Sequence, residues 1–154
     1  MERGFSFRDE TPLLDMRMNN RAGLSARDLL NSYEEEQLAD VLYRYGELKQ
    51  SRSLAKLIVK ARSVAPLQTV GDLIAALRPA LRPDQEKKLL ACIFQALRIE
   101  VNGELKALEE LLEASLRVLR PGGRLVVMTY HSLEDRIVKN FLKGTDDSAE
   151  AQIY

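Results

Sequence analysis

The chain has 154 residues, 45% hydrophobic and 30% charged, with 23 Lys plus Arg against 23 Asp plus Glu. That length suits one domain, or a small domain with an appendage, with a core of its own, and the composition excludes wholesale disorder. Zero net charge removes the basic excess typical of a dedicated nucleic-acid binder, though not a local basic patch. A single cysteine, Cys92, excludes an internal disulfide, and the absence of CxxC or a histidine cluster argues against a structural metal site. The start, "MERGFSFRDE", has no apolar core of a leader, and no apolar run approaches the roughly 20 residues that span a bilayer. The composition therefore reads as a cytoplasmic protein with no membrane partner.

Residues 1–24 are expected to be irregular, with Gly4, Pro12, the Asn19–Asn20 pair and Gly23 breaking any period. They carry Phe5, Phe7, Leu13, Leu14, Met16 and Met18, more apolar material than a free loop needs, so the segment should pack against something. From Ser25 the pattern turns helical. Ser25 and Asp28 resemble a capping box, with Asp in place of the usual Glu or Gln. Leu38, Val41, Leu42 and Tyr45 mark a second helix behind the acidic run Glu34–Glu36, with Gly46 as its expected left-handed C-terminal glycine. A third helix is predicted near Ser51–Ser63, ended by Pro66. A short fourth opens at Thr69 or Gly71 and ends at Pro79. Residues 25–83 thus read as a compact helical subdomain.

Residues 84–143 follow a different grammar. Leu89, Leu90, Ile93, Phe94, Leu97 and Val101 trace one apolar stripe; Leu105, Leu108, Leu112 and Leu119 trace another. Pro121-Gly122-Gly123 breaks the second helix. It matches neither a dinucleotide nor a P-loop fingerprint and precedes a strand-like run, so it reads as a turn. "RLVVMTY" has the continuous apolar character of a strand covered on both faces, and a helix from Leu133 to Leu142 follows. Residues 144–154 are polar and expected to form a flexible tail. The lone strand is a physical problem, because its amides and carbonyls need a neighbour. Either a second copy completes it, making a homodimer through the exposed strand edge, or the rest of the sheet lies on other sequence, which is the favoured reading.

The lone histidine, His131, falls at the end of that strand, where α/β proteins place ligands. The competing reading is an ordinary turn in which Ser132 caps the next helix with Asp135 at its third position. Arg98 sits on a largely apolar helix, where it either snorkels to solvent or pairs with Asp15, Asp135 or a phosphate. Arg136, Lys139 and Lys143 form one basic helix face, open to phosphate contact but more often merely solvated.

The stretches "ERGFSFRDETPLLDMRMN", "FQALRIEVNGEL" and "PGGRLVVMTYHSLEDRIVKNF" together resemble the RsmH (MraW) family of bacterial methyltransferases. These use S-adenosylmethionine to methylate the N4 amino group of a cytosine in small-subunit rRNA. The resemblance runs from Glu2 to about Lys143. It implies a mainly α chain with a partial α/β part: a helical inserted subdomain plus the C-terminal part of a Rossmann-like methyltransferase domain. Residues 1–24 would then pack on the methyltransferase core. It also implies that the family's glycine-rich cofactor loop and catalytic strand precede "RGFSF", so the chain should supply a helical cap and cleft edge and be inactive alone. Arg17, Arg98, Asn102, His131, Ser132 and Asp135 become candidates for the shell that orients substrate or braces the cleft, with Arg136, Lys139 and Lys143 as RNA-contact candidates. One departure is local: the helix before "FQALR" begins "EKKLLAC" rather than the family's His- and Arg-Thr-containing segment, so no RNA contact is carried over from that helix start. Two other readings stay open: a helical binding or assembly module without chemistry, and a dimer-completed α/β protein.

Overall fold

The computed structural model describes residues 3–19, 21 and 23–145; Asn20 and the expected tail beyond 145 lie outside them. Among the described residues the fold is mainly α. Its helices are α1 (Ala26–Ser32), α2 (Glu35–Gly46), α3 (Ser51–Val64), α4 (Val70–Leu77), α5 (Glu86–Asn102), α6 (Glu104–Val118) and α7 (Ser132–Thr145), with a 3-10 turn at Arg78–Ala80. They divide into two compact units, one ending at Asn102 and the other beginning at Gly103.

In the first unit, local chemistry sets where helices start. The Ser25 hydroxyl accepts from the Asp28 amide while the Asp28 carboxylate accepts from Ser25, a reciprocal capping box. Thr69 and Asp72 repeat the device at α4, so Thr69 and not Gly71 opens that helix. α2 packs on both α3 and α5. The core between them is built from fully buried Leu30, Leu38, Leu42, Leu54, Ile58, Leu73, Ile93 and Leu97. At about 1.5–3 kcal/mol for each such side chain, this apolar burial is what holds the short helices together.

Gly46 departs from its expected role. The left-handed position after α2 is Glu47, at φ 52°. Gly46 is needed instead for approach: a Cβ there would lie 3.1 Å from the Cys92 carbonyl oxygen of α5. The leading segment packs on helices of the first unit. Leu14 and Met16 are wholly buried, and Phe7 meets Phe94 of α5 edge to face at 5.5 Å. Backbone hydrogen bonds tie the segment to both cap sites: Ala26 N–H donates to Asp15 O, Arg27 N–H to Leu14 O, and Val70 N–H to Pro12 O.

In the second unit α6 packs against α7, with Leu112, Ser115 and Leu133 buried. The expected turn forms: Gly123 N–H donates to Arg120 O and Gly122 sits at φ +81°, the pattern of a type II turn. The expected strand does not. Residues 124–129 are without regular structure, and Val126, Met128 and Tyr130 are 91%, 75% and 84% exposed. The reason is the one the sequence already posed: a strand is defined by its ladder, and the described residues offer this segment no partner. No described helix is long and apolar enough to cross a membrane.

Candidate functional site: a clamped loop and a histidine-capped helix

The first cluster gathers around Met16. Its φ of 57° is left-handed, a strained conformation for a residue with a long side chain. Burial of the Met16 side chain and three polar ties hold it there. The Met16 amide donates to Arg3 O at 2.7 Å. The Asn102 side chain donates to Met16 O and Arg98 O, each at 2.9 Å, and accepts from the Met18 amide at 2.8 Å. Asn102 is thereby a clamp, joining the end of α5 to the loop through both faces of its amide.

The reversal at Met16 turns Asp15 and Arg17 toward each other. Arg17 Nε and Nη2 donate to the two Asp15 oxygens at 2.7 and 3.0 Å, a bidentate fork. Arg3 Nη1 donates to Arg17 O at 2.7 Å. The guanidinium hydrogen bonds from Arg17 hold the Asp15 carboxyl below its usual range, and the same contact raises Arg17. The pair is about a quarter exposed, so the fork fixes the direction of the Arg17 guanidinium while its charge is balanced by Asp15. Arg98 is half-buried and reaches this cluster through its carbonyl oxygen.

The second cluster opens α7. The sequence assigned the cap to Ser132 with Asp135; the structure shifts it one residue earlier. His131 Nδ1 accepts the Glu134 amide at 3.4 Å, and the Glu134 carboxylate reaches back to the Tyr130 amide at 2.8 Å. His131 is thus the capping residue and Ser132 the first helical residue. The other ring nitrogen, Nε2, points toward the Glu134 carboxylate. It is fully buried, lies 3.4 Å from Glu134 Oε1 and lacks an aligned hydrogen bond among the described residues. Ligand-type atoms of Glu104, His131 and Glu134 lie within 4.8 Å of one another. The Nδ1 contact to the Glu134 amide and the return of the Glu134 carboxylate to the Tyr130 amide brace the turn at this trio.

Lys139 of the basic α7 face pairs with Asp135 at 2.8 Å, and Arg136, Lys139 and Lys143 are all exposed. The structure therefore groups Arg17, Arg98 and Asn102 at one place, and His131, Ser132, Asp135, Arg136 and Lys139 at another. Sequence reading missed Arg3, Glu104 and Glu134. Only Glu134 carried a local sign, its i+3 spacing from His131.

The profile of the MraW methylase family matches residues 1–152. The chain is 62% identical over 142 residues to the ribosomal RNA small subunit methyltransferase H of Parabacteroides distasonis, covering 92% of this chain and 46% of that protein. It is 64% identical over 144 residues to the protein of that name from Porphyromonas gingivalis, with 92% and 46% covered. Against that of Phocaeicola vulgatus it is 57% identical over 151 residues, with 98% and 49% covered. The chain spans about half the length of these curated relatives.

Proposed function

This chain belongs to the MraW methylase family, and we propose that it forms the helical cap and C-terminal cleft edge of a methyltransferase acting on small-subunit rRNA. The methyl donor is S-adenosylmethionine, and the acceptor is the N4 amino group of a cytosine. Such a reaction needs little acid–base help; an exocyclic amine attacks a sulfonium methyl group, and most of the rate comes from holding the two in line.

The residues here do not fit S-adenosylmethionine by themselves. Gly122 and Gly123 form a turn ahead of the extended segment, not a loop after a strand. What these residues supply is rigidity. Asn102 and the Asp15–Arg17 fork hold the loop in one conformation, and the Arg17 N–H groups outside the fork are placed to donate to a base edge. His131 and Glu134 fix the turn that follows 124–130. That stretch would become an inner strand of a Rossmann-like sheet once its partner strands, on sequence outside these 154 residues, lie beside it.

The observation that carries this reading is the apolar stretch 125–130. It has the composition of a doubly covered strand, yet Val126 and Met128 stand in solvent. A soluble surface does not keep such a segment uncovered without a partner for it. The test is calorimetry of S-adenosylmethionine with this chain. No binding at millimolar ligand is expected; micromolar binding would show a cofactor site complete within these residues and end the cap-and-edge account. If light scattering instead found a dilution-resistant dimer, the extended stretch would be completed by its own copy.

A further inference from the structure

α3 differs from the other long helices in its charges. Its sequence, SRSLAKLIVKARSV, holds four cations and no acid. On α2, α6 and α7 the cations Arg44, Lys106 and Lys139 each meet an acid one turn away; α3 has none to offer. Arg62 is used within the fold, its Nη1 donating to Leu30 O at 2.8 Å and Tyr33 O at 2.6 Å, the carbonyls at the end of α1. The other three, Arg52, Lys56 and Lys60, are exposed and recur at i, i+4 and i+8. They form one stripe with a cation about every 6 Å along the axis. The opposite face, Leu54, Ala55 and Ile58, is buried.

We propose that the Arg52–Lys56–Lys60 stripe of α3 is a phosphate-gripping track for an RNA strand. The choice of RNA as the polyanion rests on the function proposed above; the track itself rests on charge and geometry. An anionic membrane fits less well, because a helix that lies on lipid inserts its apolar face, and the apolar face of α3 is already spent in the core. One edge of the track is also fenced. Glu35, Glu36 and Asp40 of α2 share an open concavity of roughly 890 Å³ with Lys49 and Arg52. A polyanion is repelled there and directed along Lys56 and Lys60. None of these residues belongs to the clusters at Met16 or His131.

The test measures anisotropy of a fluorescein-labelled single-stranded RNA 20-mer with this chain across a salt series. Lys56→Glu/Lys60→Glu is compared with Lys87→Glu/Lys88→Glu, a pair at the start of α5 that changes net charge equally. Circular dichroism verifies that both variants are folded. The stripe variant should lose about tenfold in affinity. The slope of log K against log salt should fall by about 1.4, two contacts at about 0.7 each. The α5 variant should stay within about twofold. Equal losses in both variants, an unchanged slope in the stripe variant, or no RNA binding by the parent chain would overturn the track. So would displacement of the RNA by polyglutamate at equal charge, or tighter binding to anionic phospholipid vesicles. Cofactor titration is read separately, so failure of the track leaves the proposed methyltransferase role standing, and the converse.

Discussion

His131 shows how one side chain can be visible in a sequence and still be misjudged. Its place after an apolar run was legible, but its role as the cap of α7 was not, because Ser132 looks like the better capping residue. Two contacts that sequence cannot show decide the matter: Nδ1 on the Glu134 amide, and Glu134 on the Tyr130 amide. His131→Ala should therefore fray the first turn of α7, costing about 0.5–1 kcal/mol, the low end for a cap at this length of contact. His131→Asn should restore the turn. Amide exchange at Leu133 to Asp135 reads both; equal protection in all three proteins would remove the capping role. Tyr33 gives a second residue-scale expectation. Its hydroxyl donates to Glu100 Oε1 at 2.8 Å, and burial, then that carboxylate, pushes it up to about 12. A folded value above the unfolded 10.0 means the neutral form is favoured by folding. The associated stability is whole below pH 10 and is lost as pH rises toward 12. Tyr33→Phe should flatten that alkaline loss in denaturation curves taken from pH 9 upward, and an unchanged curve would assign it elsewhere.

At the scale of elements, what was periodic was legible. The apolar stripes gave α2, α3, α5 and α6, and Ser25 with Asp28 gave the start of α1, because both signals are local in sequence. Gly46 was misread because its cause is tertiary: only the approach of α5 explains it. The strand was misread because apolar composition alone does not make one: residues 124–129 find no pairing partner among the described residues. The Ser25 and Thr69 capping boxes carry a prediction. Ser25→Ala and Thr69→Ala should each destabilise by about 1 kcal/mol in urea melts. Hydrogen bonds, from Ser25 at α1 and from the Thr69 and Gln68 amides at α4, hold Asp28 and Asp72 below 3.8. A depressed folded value gives stability that is present above pH 3.8 and disappears as pH falls through the folded values. Both variants should thus lose part of the acid dependence as well as stability. A variant destabilised equally at pH 3 and pH 7 would mean the carboxylate is not the linked group.

Across the whole molecule, the first unit has a core of its own, while the second leaves much of its apolar surface open, with Leu111, Leu116 and Val118 all more than half exposed. The family was legible from three separated motifs. The geometry of the candidate site was not, because the Met16 reversal and the Asn102 clamp join residues 86 apart in sequence. The account's central claim is that these residues are the cap and cleft edge of an rRNA methyltransferase completed by other sequence. The most direct measurement joins the unmatched part of the Parabacteroides distasonis relative to this chain in one polypeptide. Small ribosomal subunits from cells lacking the modification are incubated with it and S-adenosylmethionine, and the digested rRNA is analysed by mass. The account predicts N4-methylated cytosine from the joined protein and none from this chain alone. A joined protein that is folded and binds the cofactor but leaves cytosine unmethylated, or methyl transfer by this chain alone, would contradict it.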